Sequence, residues 1–314
     1  MRISTSMMYR EGTQGLQNRQ SDLYRVQNQL STGRRVLSPQ DDPIAASEAL
    51  KVSQSKGVNQ QYLDNQGAAE SSLTYVESTL ASAGDLLTRA LELAASVDSS
   101  GQTEILPELQ TITTSLLGLA NTQDGTGLYI FGGFQSKNPP FQINTASSSP
   151  YSLSSGTYVQ YNGDAGNPTL QVSSSSEMAV GENGLDAFMQ VKDSSGNVVG
   201  RSMFDSLKNL ADIVDPTSGV PFSSAALNQA VTDLKNTISH VASLRASVGA
   251  RLNTLDSLTS TGQDVGYQYD TQLSKLQDLD YTEAISRFSN YQQQLEAAQL
   301  SFKQISQLSL FNIL

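Results

Sequence analysis

A long heptad seam constrains this chain more than any other feature. From Tyr62 onward, Tyr62, Ala69, Val76, Ala83, Ala90 and Val97 recur every seven residues, with Leu73, Leu80, Leu87 and Ala94 interleaved. Apolar residues at alternating steps of three and four form one stripe along an α-helix, and water must be excluded from that stripe by other helices. The helix has a marked start in LSPQDDPIAAS: Asp42 can cap free backbone amides, and Pro43 fits the first turn, where its missing N–H costs nothing. Unbroken from Ile44 to Val97 it would run about 80 Å, although Gly57, Gly67 and Gly84 could bend it.

Covering helices are legible downstream. SSGQ (99–102) reads as a turn, and Ile105, Leu109, Ile112, Leu116 and Leu119 then mark a shorter helix packing back, with Pro107 tolerated near its start. Helix returns near Ser223, with Leu227, Leu234, Val241, Val248 and Leu255 at heptad spacing and Val231, Ile238 and Leu252 between them. Arg245 and Thr259 interrupt the second set, which predicts bundle packing in place of a strict two-stranded coil.

The two ends of the chain carry narrower stripes. Tyr9, Leu16, Leu23, Leu30 and Leu37 are seven apart, but the companion positions Gly12, Arg19 and Val26 make a poor seam. Near the other end Tyr281, Phe288, Leu295 and Phe302 share one register and Ala284, Tyr291, Ala298 and Ile305 another, before the apolar finish Leu308, Leu310, Phe311, Ile313 and Leu314. Such incomplete helices need partners. The expectation is that both ends are loosely ordered in the free monomer and fold on stacking beside neighbouring copies; the alternative is that they pair within one molecule.

Between the helices the pattern changes. NTQDGTG supplies turn residues before the strand-like LYIF (128–131), and GGF closes a predicted β-hairpin. Residues 136–221 are rich in Ser, Asn, Gly and Pro, with short runs such as TYVQY and TLQVS, and read as a small β domain whose serine runs at 147–149 and 173–176 are loops. The predicted fold class is therefore mainly α with a β insertion: a long antiparallel helical rod or bundle formed by both chain ends, plus a small central β domain. The expected domains are terminal helices at 1–41 and 275–314, disordered in the monomer; a helical rod with a β-hairpin at 42–135 and 222–274; and a β-rich outer domain at 136–221.

Composition narrows function. Charged residues are 16%, against about 25% in typical soluble domains, with Ser, Thr, Gln and Asn in their place. A net charge of -11 argues against nucleic acid, which demands a basic surface. The first 40 residues are the exception, with Arg2, Arg10, Arg19, Arg25, Arg34 and Arg35 against Glu11 and Asp22, a pattern expected of a solvated or partner-facing helix. There is no Cys, no run of the length needed to span a membrane, and no apolar core of a cleaved signal in MRISTSMMYREG.

Catalytic chemistry is not expected. The sole histidine, His240, cannot by itself build a zinc site or a His-Glu-x-x-His peptidase motif, and a packing or surface role is predicted for it. GTGLYIFGG lacks the Lys-Ser/Thr ending of a phosphate loop, and the adjacent Asp41 and Asp42 are explained by a helix start. No catalytic, cofactor or metal residue is assigned.

Several segments together resemble a known family. MRIST, LSTGRRVLSPQDDPIAAS (Leu30 to Ser47), RASVGARLN (Arg245 to Asn253) and the stretch from Asp278 to Leu314 are similar to bacterial flagellins and their relatives. Within that superfamily, MRISTSMMY, DGTGLYIFGGFQSKNPPF (Asp124 to Phe141) and SLFNIL resemble the FlgL family of hook–filament junction proteins. The resemblance implies a structural adaptor of the bacterial flagellum without enzymatic activity. Its implied partners are neighbouring copies, an adjacent hook-associated protein, flagellin, a FlgN-type export chaperone on the C-terminal helix, and the flagellar type III export apparatus. The implied inter-subunit packing residues are Ile3, Met7, Leu16, Leu23, Leu30, Phe288, Leu295, Phe302, Ile305, Leu308 and Phe311. A filament flagellin, or a secreted coiled-coil adhesin or tip protein, is the alternative. One departure bears on host recognition: receptor-recognised flagellins tend to have Arg-x-Arg-Glu-Leu, and this chain has Arg89, Ala90, Leu91, Glu92 and Leu93, so weak recognition is expected.

Overall fold

A computed structural model describes residues 5–97, 104–193 and 195–311. Six helices account for most of it: α1 (Thr5–Thr32), α2 (Pro43–Ser96), α3 (Leu106–Ala120), α4 (Met203–Val214), α5 (Ser224–Gln277) and α6 (Tyr281–Phe311). The chain divides into two compact units, one of residues 1–59 and 264–314, the other of residues 60–263.

In the second unit the heptad stripe does what its spacing predicts. Ala69, Leu73, Val76, Leu80, Ala83, Leu87, Ala90 and Ala94 are all buried, and α2 continues helically through Gly57, Gly67 and Gly84. From α5, Leu234, Val241, Val248 and Leu255 are buried in the same core, as are Leu109, Ile112 and Leu116 of α3. The α2–α5 register is antiparallel: Thr259 donates to Gln66 Oε1 at 3.1 Å, Arg245 Nε donates to Glu77 at 2.8 Å, and Val241 lies beside Gly84. Small residues let the two backbones approach while the leucines fill the space between them. Arg89 grips α3 through Glu108 at 2.6 Å and also reaches Glu92 at 3.2 Å, so the departing motif is engaged within the chain. The predicted turn at 99–102 lies outside the described residues.

The central segment holds two short antiparallel hairpins. Strand β1 (Phe141–Ile143) pairs with β2 (Val159–Tyr161), Phe141 opposite Tyr161; β3 (Thr169–Ser173) pairs with β4 (Ser176–Ala179) through a register shift between Gln171 and Ser173. These contain the runs TYVQY and TLQVS in part, and the second serine run forms the β3–β4 turn. Phe131, Phe141, Phe188 and Phe204 form the centre, with Phe131 4.9 Å and Phe141 5.4 Å from Phe188, both edge-on. Edge-to-face rings gain from their quadrupoles beyond simple burial.

Two sequence expectations need correction here. The β-hairpin at LYIF does not form: Gln123 and Tyr129 make a single bridge, and the rest is turn. Asp124 accepts from the Thr126 and Leu128 amides at 2.8 and 3.0 Å, and Gly127 and Gly133 have φ of 82° and 64°, so backbone amides close turns and no ladder extends. The second correction concerns 136–221, which is not built from strands and loops alone. It also contains a π-helical turn (Leu185–Met189) and the buried helix α4. The overlooked signal was a capping box, in which Ser202 accepts from the Asp205 amide and Asp205 accepts from the Ser202 amide, each at 3.0 Å. Met203, Phe204, Leu207, Leu210, Ala211 and Val214 then follow at helical spacing, all buried.

His240 is a buried packing residue on α5, with its Nε2 2.8 Å from the Asp186 carbonyl at the π-helical turn. Burial, aided by Lys192, holds its pKa below the ordinary 6.5, while the Asp186 carbonyl and carboxylate oppose the shift. The folded state thus prefers neutral imidazole. Stability from this site is present above pH 6.5 and is lost as pH falls below it through the folded pKa. Replacing His240 with Gln, which can still donate to Asp186, should flatten the dependence of the urea midpoint on pH below 6.5. A second expected outcome concerns the seam: Leu80→Ala leaves a cavity among fully buried neighbours and should lower unfolding free energy by about 3 kcal/mol in urea titrations.

Candidate functional site

The unit of residues 1–59 and 264–314 is where both chain ends meet. Its organising element is the pair of connections joining α1 to α2 and α5 to α6. Gly33 ends α1 in the left-handed region, at φ 68°, and its amide donates to Gln29 O at 2.9 Å. A Cβ there would sit 2.9 Å from the hydroxyl of the exposed Tyr281, which can move aside, so it is the left-handed backbone that calls for glycine. The two connections then hydrogen-bond to each other: the Arg35 amide donates to Gln277 O at 2.7 Å and the Leu279 amide to Gly33 O at 3.0 Å.

Side chains of the LSTGRRVLSPQDDP motif complete the junction. Arg35 donates to Asp42 at 3.0 Å and to Leu276 O at 2.9 Å, linking the start of α2 to the end of α5. Asp42 accepts from the Ala45 amide at 3.0 Å, which is the cap that the sequence predicts. That amide, and then Arg35, hold the Asp42 carboxyl below the usual carboxylate range. Asp41 accepts from the Leu37 and Ser38 amides at 3.1 and 2.9 Å, and Asp280 caps α6 through the Thr282 amide at 2.9 Å. Both adjacent aspartates therefore serve turns and caps.

Because the connections lie side by side, α1 and α6 run antiparallel along each other within one molecule. Arg19 donates to Gln294 at 3.0 Å, and farther along the Tyr9 and Phe302 rings lie 5.0 Å apart. Of the residues expected at subunit contacts, Leu16, Leu23, Leu30, Phe288, Leu295 and Phe302 are half-buried in this pair, and Met7 is exposed. Ile3 lies outside the described residues; Ile305, Leu308 and Phe311 fall on α6 as backbone positions. The poor companion Gly12 has a use: a Cβ there would be 2.8 Å from Phe302, so its absence admits the ring.

A different set of apolar residues is left uncovered. Tyr24 is 66% exposed, Ile44 74%, Leu50 62%, Ile285 58% and Leu300 64%, with Val58 and Tyr281 exposed as well. Heptad reading missed them because it selects a single stripe, whereas these helices are apolar on more than one side. That is itself a usable signal of helices that pack on two sides. Among the described residues no group of His, Asp and Glu is placed to hold a metal, and no helix is long and apolar enough to cross a membrane.

Comparison with known proteins accords with this arrangement. Residues 3–136 match the bacterial flagellin N-terminal helical region, and residues 227–314 match the bacterial flagellin C-terminal helical region. The chain belongs to the bacterial flagellin family. Among flagellin relatives it is similar to flagellar hook-associated protein 3 of Escherichia coli K12, 31% identical across 100% of this chain and 99% of that protein. It is equally similar, 31% identical with the same coverage, to flagellar hook-associated protein 3 of Salmonella typhimurium LT2. The fold matches the crystal structure of flagellar hook-associated protein-3 from Legionella pneumophila with a TM-score of 0.61, at 18% identity, covering 72% of this chain and 98% of that one. In the flagellin-family chain the two matched regions supply the helices that the connections hold together.

Replacing Gly12 with Leu should force Phe302 away and part α1 from α6. Hydrogen exchange is then expected to quicken in α1 and around residues 294–302 while the α2 seam keeps its protection.

Proposed function

We infer that this chain is a structural component of the bacterial flagellum, an adaptor at the hook–filament junction that links a hook-associated protein to the flagellin filament. The observation that carries this reading is 31% identity over the whole chain to hook-associated protein 3, on a fold whose terminal helices leave apolar residues uncovered. An adaptor must bind above, below and beside itself. The face of α1 and α6 that is spent within the chain and the second face that remains exposed suit that requirement.

On this reading the partners are neighbouring copies, the adjacent hook-associated protein and flagellin. The protein is exported through the flagellar type III apparatus with an uncleaved N-terminus, and a FlgN-type chaperone guards the C-terminal helix. The terminal segments 1–41 and 275–314 order fully on assembly, with Ile3, Met7, Leu16, Leu23, Leu30, Phe288, Leu295, Phe302, Ile305, Leu308 and Phe311 sharing the packing with the exposed set. The rod segments 42–135 and 222–274 carry the load between assemblies, and 136–221 faces outward. No catalysis is assigned to it.

A deletion strain tests the reading. Hooks without filaments, with monomeric flagellin lost to the medium, are expected, and the full chain but not one ending near Asp280 should restore filaments. Intact filaments in the deletion strain would make the protein a redundant flagellin or a component of another surface system.

A further inference from the structure

Asparagine is followed by glycine at two places in this chain, Asn162–Gly163 and Asn183–Gly184, and the fold treats them differently. The dipeptide carries chemistry of its own. A glycine amide nitrogen, unhindered by a side chain on its own residue, can attack the Cγ of the preceding asparagine. The N–Cγ bond forms, the Cγ–Nδ2 bond breaks, and the amide proton leaves with the NH2 group as ammonia, so that a succinimide ring remains. Water then opens the ring. Hydrolysis of the N–Cγ bond gives aspartate, and hydrolysis at the main-chain carbonyl gives isoaspartate, whose backbone is longer by a methylene.

At Asn183 this reaction is closed off. The residue is only 3% exposed; its Oδ1 accepts from the Asp186 amide at 2.8 Å, and its Nδ2 donates to Asn167 Oδ1 and Asp186 Oδ2, each at 3.3 Å. The nucleophile is also engaged, because the Gly184 amide donates to Phe131 O at 3.0 Å. Ring closure would have to break all of these bonds inside a buried site.

Asn162 is the opposite case. It is exposed just past the end of β2, and among the described residues neither its carboxamide nor the Gly163 amide makes a hydrogen bond. Packing demands the glycine: a Cβ there would run into the Tyr161 ring. That ring is pinned, with its hydroxyl 3.0 Å from Phe131 O and 2.7 Å from Asp164 O, and with Phe141 5.1 Å away. The residue that the fold needs after Asn162 is thus the one that leaves it reactive.

We propose that Asn162 is a site of spontaneous deamidation and isoaspartate formation, and that Asn183 is protected. The product bears on the loop around it. The Asn162 amide donates to Pro140 O at 2.7 Å, and Asp164 Oδ1 accepts from the Phe134 and Gly166 amides at 3.0 and 2.9 Å. An extra methylene between Pro140 and these anchors displaces Asp164 and frees the turn at Phe134. Aspartate at the same position adds only a charge.

The purified full chain, aged in mildly alkaline buffer and mapped by mass spectrometry, is expected to exchange NH for O at Asn162 at least about ten-fold faster than at Asn183. Ageing in guanidinium should bring the two rates together, which assigns the difference to the fold. A native rate at Asn162 no faster than at Asn183, or a difference that persists in denaturant, would overturn the proposal. Hydrogen exchange then tests the consequence: the Phe134 and Gly166 amides should exchange faster in the isoaspartate-bearing chain and keep their native rates in Asn162→Asp. Unchanged exchange in the first, or equal quickening in both, would overturn the freeing of the turn. Neither readout involves assembly, so the junction reading is decided separately.

Discussion

Burial of the α2 stripe is the interaction on which the central unit depends. The eight heptad positions from Ala69 to Ala94, with Leu93 beside them, are shielded from water together, and they connect α3, α4, α5 and the phenylalanine cluster into one core. Each leucine contributes roughly 1.5–3 kcal/mol by leaving water, but only if its neighbours are in place. The alanines matter as much. With Ala69, Ala83, Ala90 and Ala94 between the leucines, α5 and α3 can approach closely and leave little empty volume. Because the chain enters and leaves the central segment through α3 and α5, the same stripe anchors both ends of the β insertion.

The terminal unit is held by a different kind of force. Its buried apolar residues are few and mostly small, among them Val26, Ala45, Ala49, Leu279 and Ala284. Backbone hydrogen bonds between the two connections, the Arg35 bridge and two aspartate caps fix where the four helices start and stop. Directional bonds can set geometry without much core, although each adds only about 1 kcal/mol net. Such a unit is positioned more than it is stabilised. That division suits an assembling protein, in which neighbours can supply the burial that one chain lacks.

Much of this was legible in the residues, for physical reasons that differ by element. The rod helices were readable because a heptad is a strong periodic signal and Asp42–Pro43 marks a start. Helix α4 was missed because serine-, asparagine- and glycine-rich flanks dominated the reading of its region, and its capping box was overlooked. LYIF looked like a strand because β-branched and aromatic residues favour strands, yet Phe131 is used as a core plug beside Phe188, with turns on both sides. The terminal stripes were seen correctly as apolar; the incomplete seams and the polar companions Gly12 and Arg19 gave no hint that they meet Phe302 and Gln294 across the chain.

The sequence by itself determined the periodic helices, their caps, the irregular central insertion and, through its motifs, the family. Local pattern controls these because propensity, capping and periodicity act over a few residues. Only the tertiary structure decided which apolar face of each terminal helix is used within the chain and which stays open. It alone placed Gly12 beneath the Phe302 ring and Arg19 against Gln294, 275 positions further along the chain. Neither choice is written locally. Each depends on the two connections lying side by side, a pairing of segments more than 200 residues apart that no short window of sequence contains.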